Sequence, residues 1–352
     1  MKTLDECKKD IRSCSKCGLC QSVCPVYKIT GNDCTVSRGL FIMLNGLIKN
    51  KLKPSKKLEH YLDLCLMCNA CSKFCPSEID AVEILTLTKN KFFKKSLKEK
   101  LISWFQKNII LNIGIKILNI FSKKIKSKIF TRKVIYYGGC SSKIYGNKAP
   151  IKILNACNIE TITPDFDCCG ISFLMRGDLE NFNIYLENFV KKLEPYSTYD
   201  IVTTCASCEK ILKSYAKWSD NPTLKKLNIK NIFEYIREEN LNLSLKQKQN
   251  VTFHKPCNIN NYEDIEWILN NTQNLSYSKM KDFDSCCGLN SILKLNKYKI
   301  FKPIFQNKKQ NILNTKAKIV LTSCLGCETA LKIYSSGKYK VMDITEFLAK
   351  YT

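Results

Sequence analysis

Residues 14–25 read Cys-Ser-Lys-Cys-Gly-Leu-Cys-Gln-Ser-Val-Cys-Pro, and residues 65–76 read Cys-Leu-Met-Cys-Asn-Ala-Cys-Ser-Lys-Phe-Cys-Pro. Both stretches place four cysteines at intervals of three, three and four positions and end on proline. The N-terminus has no apolar export segment, so we expect a reducing compartment, in which cysteines bind metal rather than form disulfides. The pattern therefore predicts two sets of metal thiolates.

This cysteine spacing is typical of a pair of [4Fe-4S] clusters, as in two-cluster ferredoxins. The first three thiolates of each run wrap one cube, and the fourth, held by the proline, reaches the other cube. Zinc is disfavoured, because structural zinc sites use two separated CxxC pairs. The sequence predicts one cluster on Cys14, Cys17, Cys20 and Cys75, and a second on Cys65, Cys68, Cys71 and Cys24.

The second half of the chain repeats a set of five cysteines at offsets of 117 to 119 residues. Short β-branched segments recur beside them and alternate with helical patterns, which indicates two α/β units with parallel sheets. The predicted strands are 134–137, 201–204, 251–253 and 319–322. The first set is Cys140, Cys168, Cys169, Cys205 and Cys208, and the second set is Cys257, Cys286, Cys287, Cys324 and Cys327.

Two local patterns suit these ten cysteines to iron-sulfur chemistry. Cys205 and Cys324 each follow a predicted strand and open a helix, whose N-terminal N–H groups favour a thiolate and an anionic cluster. The adjacent pairs Cys168–Cys169 and Cys286–Cys287 precede a glycine, which allows close backbone approach, and adjacent thiols can serve neighbouring irons of one cluster. A redox-active dithiol is the alternative for each pair.

On these motifs the sequence resembles the CCG-domain iron-sulfur proteins, because the pattern of one cysteine, a CCG and a CxxC occurs twice. A ferredoxin domain followed by two CCG domains is similar to the iron-sulfur subunit of glycolate oxidase. It is also similar to the small subunit of anaerobic glycerol-3-phosphate dehydrogenase and to heterodisulfide reductase subunits. Further segments typical of that group are Ser37–Gly39, Asp63–Cys71, Tyr136–Cys140 and His254–Cys257.

The resemblance implies the cofactors, the partner and the reaction. Beyond two [4Fe-4S] clusters, it implies one iron-sulfur cluster in each CCG domain, of the non-cubane [4Fe-4S] type that five such cysteines hold in heterodisulfide reductases. It implies a partner flavoprotein, containing FAD, that oxidises glycolate or lactate, while this chain relays electrons toward a quinone or another membrane acceptor. The alternative is a heterodisulfide-reductase-type subunit whose CCG clusters act on a thiol or disulfide substrate. With no dinucleotide or P-loop motif and only two histidines, we expect no catalytic acid or base on this chain.

The predicted fold class is α+β with several domains. The 40 residues between Cys24 and Cys65 include an apolar helical run, which favours an α-helical ferredoxin over the compact β type. Residues 89–133 carry fourteen Lys or Arg against one acid and predict a basic amphipathic helical linker. The expected domains are an α-helical two-cluster ferredoxin domain at 1–88, this linker at 89–133, a first α/β CCG domain at 134–245 and a second at 246–352.

The net charge of +26 does not indicate nucleic-acid binding, because only five of the 57 basic residues are arginine and cluster thiolates offset part of the charge. The longest apolar stretches are far shorter than the roughly 20 residues of a membrane span. We therefore expect a cytoplasmic protein. The segment 89–133 could dock on the anionic cytoplasmic face of the inner membrane or on the partner, or it could pack on the CCG core.

Five residues fall outside the predicted ligand sets. Cys7, Cys34 and Cys157 are expected to be ordinary packing cysteines. His60 is expected on a helix surface. His254 is expected to pack or hydrogen-bond beside its cluster rather than to ligate it.

Overall fold

The computed structural model describes residues 3–93, 130–260, 262–289 and 298–352. Residues 3–93 form helices and no strand, in agreement with the predicted helical first domain. The basic helices predicted at 89–133 fall largely on 94–129, outside the described residues. The helices of the first domain are α1 (Lys8–Arg12), α2 (Leu19–Val23), α3 (Pro25–Thr30), α4 (Ser37–Ile48), α5 (Lys56–Leu64), α6 (Ala70–Lys73) and α7 (Ala81–Phe92), with a 3-10 turn at Asp33–Thr35.

The two cysteine runs of this ferredoxin domain adopt the same local conformation. Gly18 and Asn69 lie in the left-handed region, at φ 87° and 62°, and cap the N-termini of α2 and α6. Glycine and asparagine tolerate this conformation best, so each run can bend sharply around its third cysteine. Proline follows each fourth cysteine, and Pro25 occupies the first turn of α3, where its missing N–H costs nothing.

The first of the two repeated α/β units, Arg132–Glu238, is called module 1. It is a four-stranded parallel sheet in the order β2-β1-β3-β4, with helices around it. Its central strands are fully buried at their carboxyl ends, which explains their β-branched sequence. Its elements are β1 (Arg132–Tyr136), α8 (Gly139–Tyr145), α9 (Lys148–Ala156), β2 (Ile159–Ile162), α10 (Ile171–Leu174), α11 (Leu179–Leu193), β3 (Asp200–Thr203), α12 (Ala206–Ser214), α13 (Pro222–Lys225), β4 (Ile229–Asn231) and α14 (Ile232–Glu238).

The second repeated unit, Ser244–Tyr351, is called module 2 and has the same topology, with the strand order β6-β5-β7-β8. The four predicted strands therefore form the central pair of each sheet, whereas the edge strands were not predicted. Edge strands β2 and β6 bury at most one residue, so their sequences carry little apolar signal. The elements are β5 (Ser244–Phe253), α15 (Tyr262–Asn271), β6 (Gln273–Tyr277), α16 (Tyr298–Asn314), β7 (Ile319–Thr322), α17 (Leu325–Ser335), β8 (Lys340–Asp343) and α18 (Ile344–Tyr351).

The two modules pack against each other through a continuous apolar core that contains residues of both sheets. At the start of α12 the backbone N–H of Ala206 donates to the carbonyl of Ser323 at 2.9 Å. The hydroxyl of Tyr145 donates to Glu328 Oε2 at 2.7 Å. Both contacts lie at the carboxyl edges of the sheets, so the two cysteine sets face one another across this interface.

The ferredoxin domain packs on both modules. Thr86 Oγ1 donates to the carbonyl of Leu174 in module 1, at 3.2 Å. Lys73 Nζ donates to the carbonyl of Cys257 in module 2, at 3.1 Å. On another side, Val26 of α3 packs in an apolar cluster with Phe301 of α16. In the part of the chain that the structure describes, no helix is long and apolar enough to cross a membrane.

Candidate iron-sulfur sites

The first ferredoxin site is a pocket at the start of α2. It is lined by Cys14, Cys17 and Cys20 of the first run and by Cys71 and Cys75 of the second run. A hydrogen bond with the Leu19 backbone lowers the pKa of the exposed Cys17, and burial raises the pKa of Cys20.

The second ferredoxin site has the complementary composition, because Cys24 lines it with Cys65, Cys68 and Cys71. Three donors point at its sulfurs: Ser37 Oγ lies 3.0 Å from Cys71 Sγ, and the N–H groups of Tyr27 and Met67 lie 3.4 Å from Cys24 and Cys65 Sγ. Burial raises the pKa of Cys24 to about 12, so the thiol needs such donors, or a metal, to ionise. Cys24 thus lies with the first three cysteines of the second run, and Cys75 lies with the first three of the first run. The assignment of these cysteines as ligands stays a prediction.

In module 1 the five cysteines converge at the carboxyl ends of β1 and β3. These strands flank the point where the strand order reverses, and the connections there leave a crevice suited to a ligand. Cys140 comes from α8, Cys205 is the N-cap of α12, Cys208 lies in the first turn of α12, and Cys168–Cys169 precede α10. Cys208 Sγ and Cys169 Sγ are 3.6 Å apart.

The thiols of module 1 interact with one another strongly enough to split their pKa values. A hydrogen bond from Cys140 holds the pKa of Cys168 well below its usual range, and the same contact raises that of Cys140. The pKa of Cys208 rises well above normal through its hydrogen bond to Cys169 and through burial. Such a packed set of thiols gains most when a metal centre replaces several protons at once.

Module 2 places its cysteines in the same way, at the carboxyl ends of β5 and β7. Cys257 follows β5, Cys324 is the N-cap of α17, and Cys327 lies in the first turn of that helix. Cys286–Cys287 lie before Gly288, whose φ of 78° requires glycine. Hydrogen bonds from Cys286 and Cys327 hold the pKa of Cys287 well below its usual range.

A histidine completes the wall of module 2. His254 follows β5, is fully buried, and offers a ring nitrogen within 4.8 Å of the Sγ atoms of both Cys287 and Cys327. Burial lowers the pKa of this imidazole, because it disfavours the charged form. His254 therefore lies beside the cysteines, in the position expected from the sequence.

Two thiol contacts join the sites. Cys68 of the ferredoxin domain shares a hydrogen bond with Cys286 of module 2, which lowers the pKa of Cys68 to about 7. Cys205 of module 1 shares one with Cys324 of module 2, and that contact holds the pKa of Cys324 well below its usual range. Ser207 Oγ also lies 3.2 Å from Cys324 Sγ. Module 2 therefore touches both of its neighbours through cysteines.

The residues that were not assigned as ligands lie in several parts of the fold. Cys7 and Cys157 are buried in apolar clusters, Cys34 is half-buried in the 3-10 turn, and His60 is exposed on α5. Sequence reasoning assigned no role to Lys308, which is buried near Cys286 and Cys287; nothing in its helical sequence context distinguishes it.

Family models match both parts of the chain. Residues 10–79 match a 4Fe-4S dicluster domain, and residues 134–213 and 251–332 each match the CCG cysteine-rich domain. The chain is thus an iron-sulfur protein of the CCG-domain family. These matches confirm the predicted fold class and the two [4Fe-4S] clusters of the first domain, and they indicate further iron-sulfur clusters in the CCG domains.

Relatives of this chain are subunits of oxidoreductases. It is 26% identical to a fumarate reductase (CoM/CoB) subunit of Methanothermobacter marburgensis, over 97% of this chain and 72% of that protein. It is 21% identical to the glycolate oxidase iron-sulfur subunit of Escherichia coli, over 94% and 91%. It is also 21% identical to a dihydromethanophenazine:CoB–CoM heterodisulfide reductase subunit of Methanosarcina acetivorans, over 92% and 88%. The chain is accordingly an iron-sulfur electron-transfer subunit of the oxidoreductase type.

One solved structure shares the fold. A hypothetical protein from Helicobacter pylori aligns with a TM-score of 0.53 at 13% identity, over 100% of this chain and 72% of that chain. The similarity concerns the fold alone.

Proposed function

We propose that this chain is the electron-relay subunit of a flavin-dependent 2-hydroxy acid dehydrogenase, of the glycolate or lactate type. A partner subunit containing FAD oxidises the substrate, and this chain passes the electrons toward a quinone. The similarity to the glycolate oxidase iron-sulfur subunit over nearly the whole of both chains supports this assignment. The basic segment 89–133 is proposed to contact the partner or the cytoplasmic face of the membrane.

The observation that carries the proposal is the continuous row of thiol sites. The two ferredoxin sites share the wall around Ser37 and Cys71, which lines both pockets. Cys68 and Cys286 then join the second ferredoxin site to module 2. Cys205 and Cys324 join module 2 to module 1. A row of redox sites in contact is what an electron conduit requires.

The residues around the sites fit anionic iron-sulfur groups. Bound clusters would supply one-electron transfer, which flavin chemistry connects to the two-electron oxidation of a hydroxy acid. The cysteines of the four sites are proposed to hold them: Cys14, Cys17, Cys20 and Cys75; Cys24, Cys65, Cys68 and Cys71; Cys140, Cys168, Cys169, Cys205 and Cys208; and Cys257, Cys286, Cys287, Cys324 and Cys327. N–H and hydroxyl donors aimed at Cys24, Cys65 and Cys71 stabilise thiolates, and the surrounding apolar packing excludes water.

Along this row, module 2 is proposed to lie between the ferredoxin domain and module 1. The order in space therefore differs from the order in sequence, where module 1 comes first. In the described residues the ferredoxin domain meets module 1 through side chains such as Thr86, whereas the thiol contact of its second site leads to Cys286.

The test is reconstitution with the flavoprotein that co-purifies with the chain. The isolated chain should leave glycolate and lactate unchanged, and the mixture should couple their oxidation to quinone reduction. Cys205→Ser and Cys324→Ser should impair that coupling while substrate still reduces the flavin, and Cys34→Ser, outside the sites, should not. Oxidation of a hydroxy acid by the isolated chain would contradict the proposal.

A second candidate is a thiol or disulfide reaction at the junction of the modules. It is favoured by the relatives named as heterodisulfide reductase and fumarate reductase (CoM/CoB) subunits and by the meeting of Cys205 with Cys324. Reductive cleavage of a disulfide by the reduced, isolated chain would support it. Absence of cleavage, together with flavin-coupled quinone reduction, would favour the first candidate.

A further inference from the structure

The two modules differ at one equivalent position in the walls of their cysteine sites. Tyr137 follows β1 in module 1, and His254 follows β5 in module 2. The backbone N–H of each donates to the neighbouring central strand, at Val202 and Leu321 respectively, so the two side chains start from the same place in the fold. The repeat therefore provides an internal comparison for the imidazole.

Tyr137 has an ordinary structural role. Its hydroxyl donates to the carbonyl of Asp167 at 2.7 Å, and its ring packs against Phe166 and Phe189. The polar atom of this buried side chain is thus accounted for. A tyrosine here closes the wall of module 1 without adding a ligand.

His254 has no such role. Its side chain is 0% exposed, and neither ring nitrogen has a nitrogen or oxygen hydrogen-bond partner among the described residues. Leaving a buried polar group unpaired costs about 1 to 3 kcal/mol, so such groups in native proteins have a specific reason. The imidazole interacts instead with the thiol of Cys287, with which it shares a hydrogen bond.

The groups that face this imidazole are thiols, which are common metal ligands in proteins. One ring nitrogen and the Sγ atoms of Cys287 and Cys327 all lie within 4.8 Å of one another. Imidazole is a recognised ligand of iron in sulfide clusters, where it replaces thiolate. Lys308, whose charge also acts on His254, contacts the Asp282 carbonyl instead.

We propose that His254 donates a ring nitrogen to an iron of the centre in module 2, so that this centre has a mixed thiolate and imidazole ligand set. The inference rests on the proposed iron-sulfur centre of module 2. Module 1 has only thiolates, because Tyr137 holds the equivalent place.

The decisive experiment leaves His254 itself unchanged. The chain contains only two histidines, and His60 is exposed on α5 of the ferredoxin domain. Pulsed electron paramagnetic resonance on protein with natural and ¹⁵N-labelled histidine should therefore show a strong, label-dependent nitrogen coupling on the module 2 signal. That signal is identified by its loss in Cys257→Ser.

Three substitutions test whether His254 is the nitrogen ligand in module 2. His254→Tyr, which copies module 1, should remove the coupling from the module 2 signal. Tyr137→His should leave that signal unchanged, and His60→Gln should leave the coupling at its wild-type value. Iron in module 2 without a histidine coupling in the wild type would overturn the inference and leave the relay proposal standing. Zinc or no metal in module 2 would overturn both.

Discussion

Modules 1 and 2 share their topology and the placement of five cysteines, but their surroundings differ. The site of module 1 is bordered by aromatic residues, with Tyr137 packed against Phe189. The site of module 2 is bordered by His254 and by the buried Lys308, both polar. Module 2 also contacts the second ferredoxin site through Cys286 and the site of module 1 through Cys324. One repeated unit has therefore been differentiated by the residues around its cysteines rather than by the cysteines themselves.

The largest expected effect concerns the pairing of the ferredoxin cysteines. Cys24→Ser should damage the cluster held with Cys65, Cys68 and Cys71, because the Cys24 thiol lies in that pocket. Iron in anaerobically prepared protein should fall from about sixteen to about twelve per chain, as expected for one lost four-iron cluster. Cys34→Ser is the matched control and should retain all iron. Selective damage to the other cluster would show the pairing to be wrong.

Substitution of the two CCG glycines should sharpen the contrast between the modules. Both have positive φ, 71° for Gly170 and 78° for Gly288. A Cβ on Gly288 would lie 2.1 Å from Phe305, whereas a Cβ on Gly170 would lie 3.1 Å from Phe182. Gly170→Ala should therefore cost about 1 to 2 kcal/mol in the free energy of unfolding, and Gly288→Ala about 1 to 3 kcal/mol more through overpacking.

Thermal unfolding under anaerobic conditions measures both variants. The module 2 variant should also lose part of its iron, because Cys286 and Cys287 precede the displaced glycine. Equal destabilisation by the two substitutions would show that the close contact with Phe305 is relieved without cost.

A smaller effect is expected from the buried lysine of module 2. Lys308→Met should lower the reduction potential of the module 2 centre, because a positive charge beside Cys286 and Cys287 favours the more negative, reduced state. The change should correspond to about 1 kcal/mol, typical of one charge near a partly screened site. Lys309 is a half-buried neighbour whose side chain contacts Ser336, and Lys309→Met should leave the potential unchanged in the same titration.

The smallest expected effect is a pH dependence of the free energy of unfolding, caused by Asp343 at the start of α18. Burial raises the pKa of Asp343 from 3.8 to about 7, so ionising it costs stability in the folded state. Asp343→Asn keeps the N-cap acceptor for Thr345 and removes that cost. The variant should match the wild type near pH 4 and become more stable as pH rises to 7, by about 1 kcal/mol after allowance for solvent. A constant difference between the melting temperatures across this range would contradict the pKa shift.

Local structure was largely predictable from the sequence. The cysteine spacing determines the loops before α2 and α6, and β-branched segments identify β1, β3 and β7 because these strands are buried. Edge strands such as β2 were missed, since half-exposed strands carry no apolar pattern. The polar character of Lys308 in a buried helix face also gave no signal, because lysine in a helix is usually solvated.

The relations between domains were not predictable. The cysteine spacing predicts neither the contact of Cys68 with Cys286 nor that of Cys205 with Cys324, because each depends on how separate units pack. For the same reason, the sequence placed His254 beside a cluster but could not reveal that both of its nitrogens lack nitrogen or oxygen partners among the described residues. Such information arises only from tertiary structure.

The central claim is that electrons reach module 1 through module 2, and rapid-freeze paramagnetic resonance on Cys257→Ser tests it most directly. Cys257 is half-buried and contacts Cys286 within module 2. Iron analysis should first show that about four of sixteen irons are lost. After reduction by the flavoprotein, the module 1 signal should then stay in its oxidised state while the ferredoxin clusters are reduced. Reduction of module 1 at the wild-type rate in this variant would contradict the relay.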